Sequence, residues 1–502
     1  MDLLSNIAMG IDLVFNIQIL LLVLLGSVIG TLVGALPGLG PSAGVALLLP
    51  VTLNLPPSAA LVFLCSIYLG TMYGGRITSI LINTPGDAPA IVTAWDGYPM
   101  MKKGQGGIAM GISAISSFIG GLISLIILAV AAPFVAQWAL SFSAPEYFAM
   151  MIFGFATIAS LSDKNYLKSI MMVLMGFMVA MIGMDFISGF GRYTFTDHLL
   201  EGVDFVAVII GLYGIGEVLY NVETSFKLNL KKESVELKNL FPKWKDIKGT
   251  TGSILRGTGL GAFIGMLPGA GGTMATFLSY SLEKNISKEP EEFGKGKIQG
   301  VAAPEAANNA SVGGALIPML ALGIPGGGAT AVLIGALIIF GLQPGPRIFD
   351  TSSDVVWTII IGLFVANILL LLANIFLIPL FVKLIYFGQW YLGPIITFIC
   401  VVGAFSLTYN NFNVWVALVF GILGYFFKKL EYPTAPFILS LVLAPLAEDS
   451  FRQSLILSRG ELSIFFTRPI SLTLMVLAIL FLVYPIIKKT LLNKGEAPNI
   501  KA

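Results

Sequence analysis

Long stretches of the chain carry no charge: Leu13–Gly75, Gly104–Pro145, Ala306–Pro346, Val355–Val382 and Leu384–Phe427 contain no Asp, Glu, Lys or Arg. Each exceeds the roughly 20 apolar residues a helix needs to cross a bilayer. Composition agrees, since 56% of residues are hydrophobic, 11% are charged and the mean hydropathy is +0.89. Soluble domains carry charge on about a quarter of their residues. The pattern predicts an all-α polytopic membrane protein of about 10–12 membrane segments, because only segments that satisfy their own backbone groups can span lipid. The start, "MDLLSNIAMGIDLVFN", lacks a basic n-region, so the first helix is expected to remain in the mature protein.

Inside the first uncharged run the chain reads "GALPGLGPSAG", Gly34 to Gly44, with two prolines and four glycines where a helix should continue. A matching break lies in the other half. Residues 26–42, "GSVIGTLVGALPGLGPS", align with 257–273, "GTGLGAFIGMLPGAGGT", at a constant offset of 231. Gly26, Gly30, Gly34, Leu36, Pro37, Gly38 and Gly40 meet Gly257, Gly261, Gly265, Leu267, Pro268, Gly269 and Gly271. A fainter pair is "NTPGD" at Asn83–Asp87 and "GIPGG" at Gly323–Gly327. The chain is read as an internal duplication: residues 1–221 form the first transmembrane repeat, 222–250 a basic linker, 251–490 the second repeat and 491–502 a tail.

Charge sets the orientation. The hydrophilic interval Glu223–Lys248 has seven lysines against four acids, which places it in the cytoplasm by the positive-inside rule. Lys102–Lys103 and the loop Asp163–Lys168 fall on the same side, as Lys383, Lys428–Lys429 and Lys488–Lys489 can. The amino-terminal region, with no basic residue before Arg76, is the least cytoplasm-like. The halves are therefore expected to be inverted repeats, as in many secondary transporters, although Arg452, Arg459 and Arg468 on the assigned outer side oppose this.

Irregular backbone at membrane depth survives only where it is packed in protein or lines a wet cavity. Proline removes a donor and glycine frees the chain from helical dihedrals, so the breaks should give discontinuous helices or re-entrant hairpins. Half-helix amino ends suit carboxylates, and exposed carbonyls suit Na+. Packing is the competing reading, since Gly26, Gly30 and Gly34 also form a small-residue seam. The candidate substrate- or ion-binding residues at the breaks are Pro37, Gly38, Gly40, Pro41 and Ser42 in the first half, with Pro268, Gly269, Gly271, Gly272 and Thr273 in the second. Arg76 comes just after the first uncharged run and has a planar fork that matches a carboxylate; snorkelling, or pairing with Asp87, is equally open. Asn83, Thr84, Pro85, Gly86 and Asp87 offer oxygens or a tight turn at the next break, as do Pro325, Gly326 and Gly327 in the second half. Glu305 is the only charge between Lys297 and Arg347, with Asn308 and Asn309 one turn on. It is read either as a cation or proton site or as the partner of Arg76.

The remaining chemistry is sparse. Net charge is +2, so no nucleic-acid partner is expected. Cys65 and Cys400 are isolated in apolar surroundings and His198 is the sole histidine, which leaves few ligands for a metal and no Ser/His pair or aspartate dyad for an enzyme. His198 is read as a loop residue, and the methionine-rich run Met171–Met184 as a packed or lipid-facing helix.

The two L-P-G-x-G breaks, "GGRITSILINTPGDAPAIVTAWDGYPM" (Gly74–Met100) and "APEAANNASVGGALIPMLALGIPGG" (Ala303–Gly327) resemble the large membrane subunit of the tripartite tricarboxylate transporters, the TctA family. The likeness implies an ion-coupled uptake system without ATP in the inner (plasma) membrane, importing citrate or another tri- or dicarboxylate. It implies two partners, a small four-helix membrane subunit and a periplasmic solute-binding protein, and places the substrate and ion region on Pro37–Ser42, Asn83–Asp87, Pro268–Thr273, Glu305–Asn309 and Pro325–Gly328. No cofactor is expected beyond Na+ as a candidate coupling ion. Movement by alternating access, elevator-like, is the preferred mechanism; a carboxylate channel or a non-transporting scaffold is the alternative. A homodimer remains open.

Overall fold

The computed structural model describes residues 3–36, 38–161, 166–185, 188–225, 241–407 and 409–493. Pro37, and 226–240 of the basic linker, lie outside the described residues. The uncharged runs fold as helices. The chain opens with α1 (Leu3–Val14), α2 (Ile17–Ala35), α3 (Pro41–Leu48), α4 (Pro57–Ile82), α5 (Ile91–Lys102) and α6 (Gly106–Ala139). Next come α7 (Ala144–Leu161), α8 (Tyr166–Ala180) and a small antiparallel hairpin of β1 (Gly183–Met184) and β2 (Gly191–Arg192). α9 (Phe205–Ile209) passes through a π turn at Ile210–Ile215 into α10 (Gly216–Ser225). The other half contains α11 (Trp244–Gly265), α12 (Gly271–Ile286), α13 (Gln299–Leu322), α14 (Gly328–Ile339), α15 (Ile348–Thr351) and α16 (Ser353–Phe376). It ends with α17 (Ile378–Ser406), α18 (Asn411–Lys429), α19 (Thr434–Leu457), α20 (Ile464–Thr467) and α21 (Pro469–Asn493).

Among the described residues, seven helices are long and apolar enough to cross a membrane, which makes this a multi-pass membrane protein. Helix ends along the chain obey local chemistry. Pro41 and Pro57 open α3 and α4, where a missing N–H goes unnoticed. Asn83 and Gly323, both left-handed at φ 54° and 71°, close α4 and α13. On α6, Ile126, Val130, Phe134 and Trp138 stand exposed at helical spacing, the face that lipid would cover.

The chain forms two compact units, Met1–Leu140 with Asp204–Leu430, and Ser141–Val203 with Glu431–Ala502. In the second, α19 packs on α7 and α8, and α21 packs on α7. Its hairpin is pinned by charge: Arg192 reaches Glu448 at 2.8 Å, while Arg452 grips Asp185 at 2.8 Å and Glu448 at 2.5 Å. In the first, α4 and α13 form the centre. Every residue from Ala59 to Leu81 and from Gly300 to Ala321 is buried, so these helices meet protein on all sides.

Candidate functional site

The site begins where glycine lets helices touch. Along α2, Gly26, Gly30 and Gly34 press on the backbone of α4 at Phe63, Ile67 and Thr71; a Cβ on Gly30 would stand 2.5 Å from the Ile67 carbonyl oxygen. Along α11, Gly257, Gly261 and Gly265 press likewise on Ala303, Ala307 and Ser311 of α13, and a Cβ on Gly265 would stand 2.5 Å from the Ser311 carbonyl oxygen. The contacts correspond one for one, with Phe63, Ile67 and Thr71 matched by Ala303, Ala307 and Ser311. Small residues let the backbones approach this closely.

Each crossing ends in an interlocked pair of turns. α2 stops at Ala35 and α3 starts at Pro41; in between, the Gly38 N–H (φ 90°) donates to the Gly86 carbonyl at 3.0 Å. Gly86 lies in the turn after α4, where the Thr84 N–H folds back to the Thr78 carbonyl and the Gly86 N–H donates to Gly75. The second half repeats this. The Gly269 N–H (φ 78°) donates to the Gly326 carbonyl at 3.1 Å, and the Ile324 N–H folds back to Pro318 at 3.1 Å. Pro85 and Pro325 sit at the same place in the two turns, just before the glycines that accept these bonds. Asn83 is exposed, Thr84 half-buried, and Pro268 buried.

The amino ends of three helices meet at these turns. Ser42, in the first turn of α3, faces Gly328, the first residue of α14: a Cβ on Gly328 would be 2.5 Å from the Ser42 Oγ and 2.8 Å from the Tyr213 hydroxyl. Gly327 in turn faces Gly271, the first residue of α12: a Cβ on Gly327 would lie 3.8 Å from the Gly271 Cα. Gly272 abuts Asn308, whose Oδ1 is buried without a hydrogen-bond partner, while its Nδ2 donates to the Met72 carbonyl of α4 at 3.3 Å. Gly40, Pro41, Ser42, Gly271, Thr273 and Gly327 are only half-buried in this otherwise buried region. Free N–H groups and partial positive charge at helix starts suit an anion.

Beneath the turns, the two central helices are joined by charge. Arg76 of α4 and Glu305 of α13 are both fully buried, with the Arg76 Nη1 3.9 Å from the Glu305 Oε2. Ser117 of α6 relays between them, accepting from Arg76 at 3.2 Å and donating to Glu305 at 3.0 Å. Thr93 donates to the other Glu305 oxygen at 2.5 Å. Tyr73 lies under the guanidinium, 5.0 Å from its ring centre, and donates to Asn367. The carboxylate nearest Arg76 is thus Glu305 rather than Asp87, while the Arg76 Nε and Nη2 are buried without a hydrogen-bond partner. The Asn309 Nδ2 donates to the Glu305 carbonyl within α13.

The sequence matches the tripartite tricarboxylate transporter TctA family over residues 20–439. The chain belongs to that family. It is 39% identical over 478 residues, covering 95% of this chain and 94% of the relative, to an uncharacterized 52.8 kDa protein in the TAR-I ttuC' 3' region of Agrobacterium vitis. A second relative from the same organism, an uncharacterized protein in the TAR-II ttuC' 3' region, is 42% identical over 215 residues, 43% of this chain and 89% of that one. No solved structure matches.

Several residues beside the TctA-family turns went unmarked in the sequence. Asp96 of α5 is fully buried; its Oδ1 accepts the N–H groups of Gly294, Gly296 and Lys297 at 2.7 to 3.0 Å, and its Oδ2 accepts the Tyr280 hydroxyl at 2.8 Å. This clasp fixes the loop between α12 and α13 to α5. In that loop the hydrogen bond and charge of Lys297 hold the exposed Glu289 below its usual carboxylate range. A lone acid in "IVTAWDGYPM" was a usable signal for Asp96. Ser117, Thr93 and Asn367 gave none, because a hydroxyl or amide in an apolar helix reads as ordinary packing. Tyr213 comes from the π turn, a distortion that often marks function, and "GLYGIG" does not announce it.

Proposed function

We propose that this TctA-family chain is the large membrane subunit through which an organic tri- or dicarboxylate enters the cell, driven by a Na+ or H+ gradient. The family belongs to a tripartite system, which implies a small membrane subunit and a periplasmic binding protein as partners. In this reading the chain sits in the inner membrane and is built of two inverted repeats of broken helices, 1–221 and 251–490, joined by the cytoplasmic linker 222–250. The paired turns shuttle by alternating access, elevator-like, against regular spans. One observation carries the reading: the starts of α3, α12 and α14 converge at half-buried turns, where Ser42, Gly271 and Gly327–Gly328 face one another. A carboxylate placed there takes backbone N–H groups and the Ser42 hydroxyl.

Gly327→Asp tests this. Gly327 has an extended backbone at φ −175°, which any residue adopts, so the variant should fold. The complete three-component system in proteoliposomes should take up labelled citrate or a C4 dicarboxylate saturably and against a gradient. The aspartate should weaken substrate at least about tenfold, some 1.4 kcal/mol, by placing a like charge at the helix start. Wild-type transport by the variant would sink the site. Uptake by the native protein that neither saturates nor accumulates would make it a channel, and no uptake at all would leave a scaffold.

A further inference from the structure

We propose that the two sets of turns divide the work: Asp87 in the first carries the coupling cation, and the bare glycines of the second hold the substrate anion. This rests on the reading of the turns as the transport site. The matched hydrogen bonds align Gly86 with Gly326, so the next residue is Asp87 in one half and Gly327 in the other. A binding carboxylate is thus built into one turn and absent from its counterpart.

Asp87 is 6% exposed. Its Oδ1 accepts the Ala90 N–H at 3.0 Å, while its Oδ2 is buried without a hydrogen bond. Glycines pack against it, since a Cβ on Gly75 would lie 2.6 Å from the Oδ1 and one on Gly40 would come 3.9 Å from the Asp87 Cβ. Among the described residues no cation pairs with it. Arg76, the adjacent basic residue on α4, is engaged with Glu305; Glu305 of α13 acts on Asp87 as a like charge; and Glu217 of α10, beside Gly38, is already paired with Lys428. A buried carboxylate with one empty oxygen and no counter-charge is costly at membrane depth. A single positive charge, Na+ or H+, removes that penalty.

The arrangement also supplies the coupling. The start of α3 is shared, with Gly40 facing Asp87 and, two residues on, Ser42 facing Gly328 of the second set. An anion at Gly328 and an ionised Asp87 compete for the same helix start. A cation on Asp87 ends that competition and tightens substrate binding, and by reciprocity the substrate tightens the cation.

The test uses the three-component system in proteoliposomes with Asp87→Asn and Asp87→Glu, under a Na+ gradient at fixed pH and, separately, a pH gradient at fixed Na+. Whichever gradient drives the native protein identifies the cation. Asp87→Asn should exchange labelled for unlabelled carboxylate yet end at equal concentrations inside and out under that gradient, and its substrate affinity should no longer depend on the cation. Asp87→Glu should keep accumulation, with a shifted cation requirement. Gradient-driven accumulation by Asp87→Asn overturns the assignment; so does loss of exchange in both variants, which would make Asp87 a structural residue. A native protein that exchanges no carboxylate at all would instead defeat the transport reading beneath it.

Discussion

Around Gly86 and around Gly326 the chain performs the same manoeuvre: a buried central helix closes on a left-handed residue, folds back to its own carbonyls, passes a proline and accepts a glycine N–H from the other break of its own half. The resemblance stops one residue later, at Asp87 and Gly327. It is also incomplete along the central helices, where Arg76 and Glu305 stand opposite nothing comparable in the other half: their matched positions are Leu316 and Cys65. Backbone geometry is therefore duplicated while side-chain chemistry is not. A repeated frame can present an anion site and a cation site together only if its side chains diverge in this way.

The largest effect should come from the unduplicated charges. Glu305→Ala strands a buried guanidinium and Arg76→Leu strands a buried carboxylate; each should lose about 3–5 kcal/mol, measured as denaturation of the purified protein in detergent. The double variant should lose less than the two singles together, since neither charge is then left alone. Strict additivity would show that the pair does not join the two halves, and the asymmetry would lose its structural role.

Where the helices stop was readable in the sequence, and much of the chemistry was not. The L-P-G-x-G duplication marked both breaks, because proline and glycine announce where a helix must stop. The uncharged runs marked the spans for the same reason: lipid tolerates few alternatives. Arg76 and Glu305 stood out as rare charges, but which partner each would take depended on the packing of α4, α6 and α13, which no spacing encodes. The hydrogen bond from Gly38 to Gly86 joins residues far apart in the chain, so the pairing of the breaks was invisible until folded. Asp87 was visible as a polar residue at a break. Only the alignment of the two turns in space gives it a missing counterpart.

The duplicated frame predicts a loss at both crossings. Gly34→Ala drives a methyl into the Thr71 carbonyl, and Gly265→Ala drives one into the Ser311 carbonyl at 2.5 Å. Backbone cannot yield as a side chain can, so each should cost about 1–3 kcal/mol, with the larger loss at Gly34, where the clearance is smaller. Gly259→Ala, in the same α11 with open space around it, should instead stabilise by roughly 0.5–1 kcal/mol through helix propensity. A loss at one of Gly34 and Gly265 and none at the other would break the equivalence of the two crossings, and the turns at Gly86 and Gly326 could then no longer be compared residue for residue.

The smallest effect, and the finest test, lies at the left-handed residues that close α4 and α13. Asn83 and Gly323 share the conformation but not the surroundings. Asn83 is exposed, whereas a Cβ on Gly323 would meet the Pro344 carbonyl oxygen at 3.1 Å. Asparagine tolerates this backbone and glycine adopts it freely. Asn83→Gly should therefore shift stability by no more than about 0.5 kcal/mol, as exposed substitutions usually do. Gly323→Asn must push the Pro344 turn back by a few tenths of an ångström and should lose roughly 1 kcal/mol. Thermal melts of the two variants side by side decide it: if Gly323→Asn is as harmless as Asn83→Gly, the second turn is as loosely held as the first, and crowding by Pro344 does not explain why glycine closes α13 where asparagine closes α4.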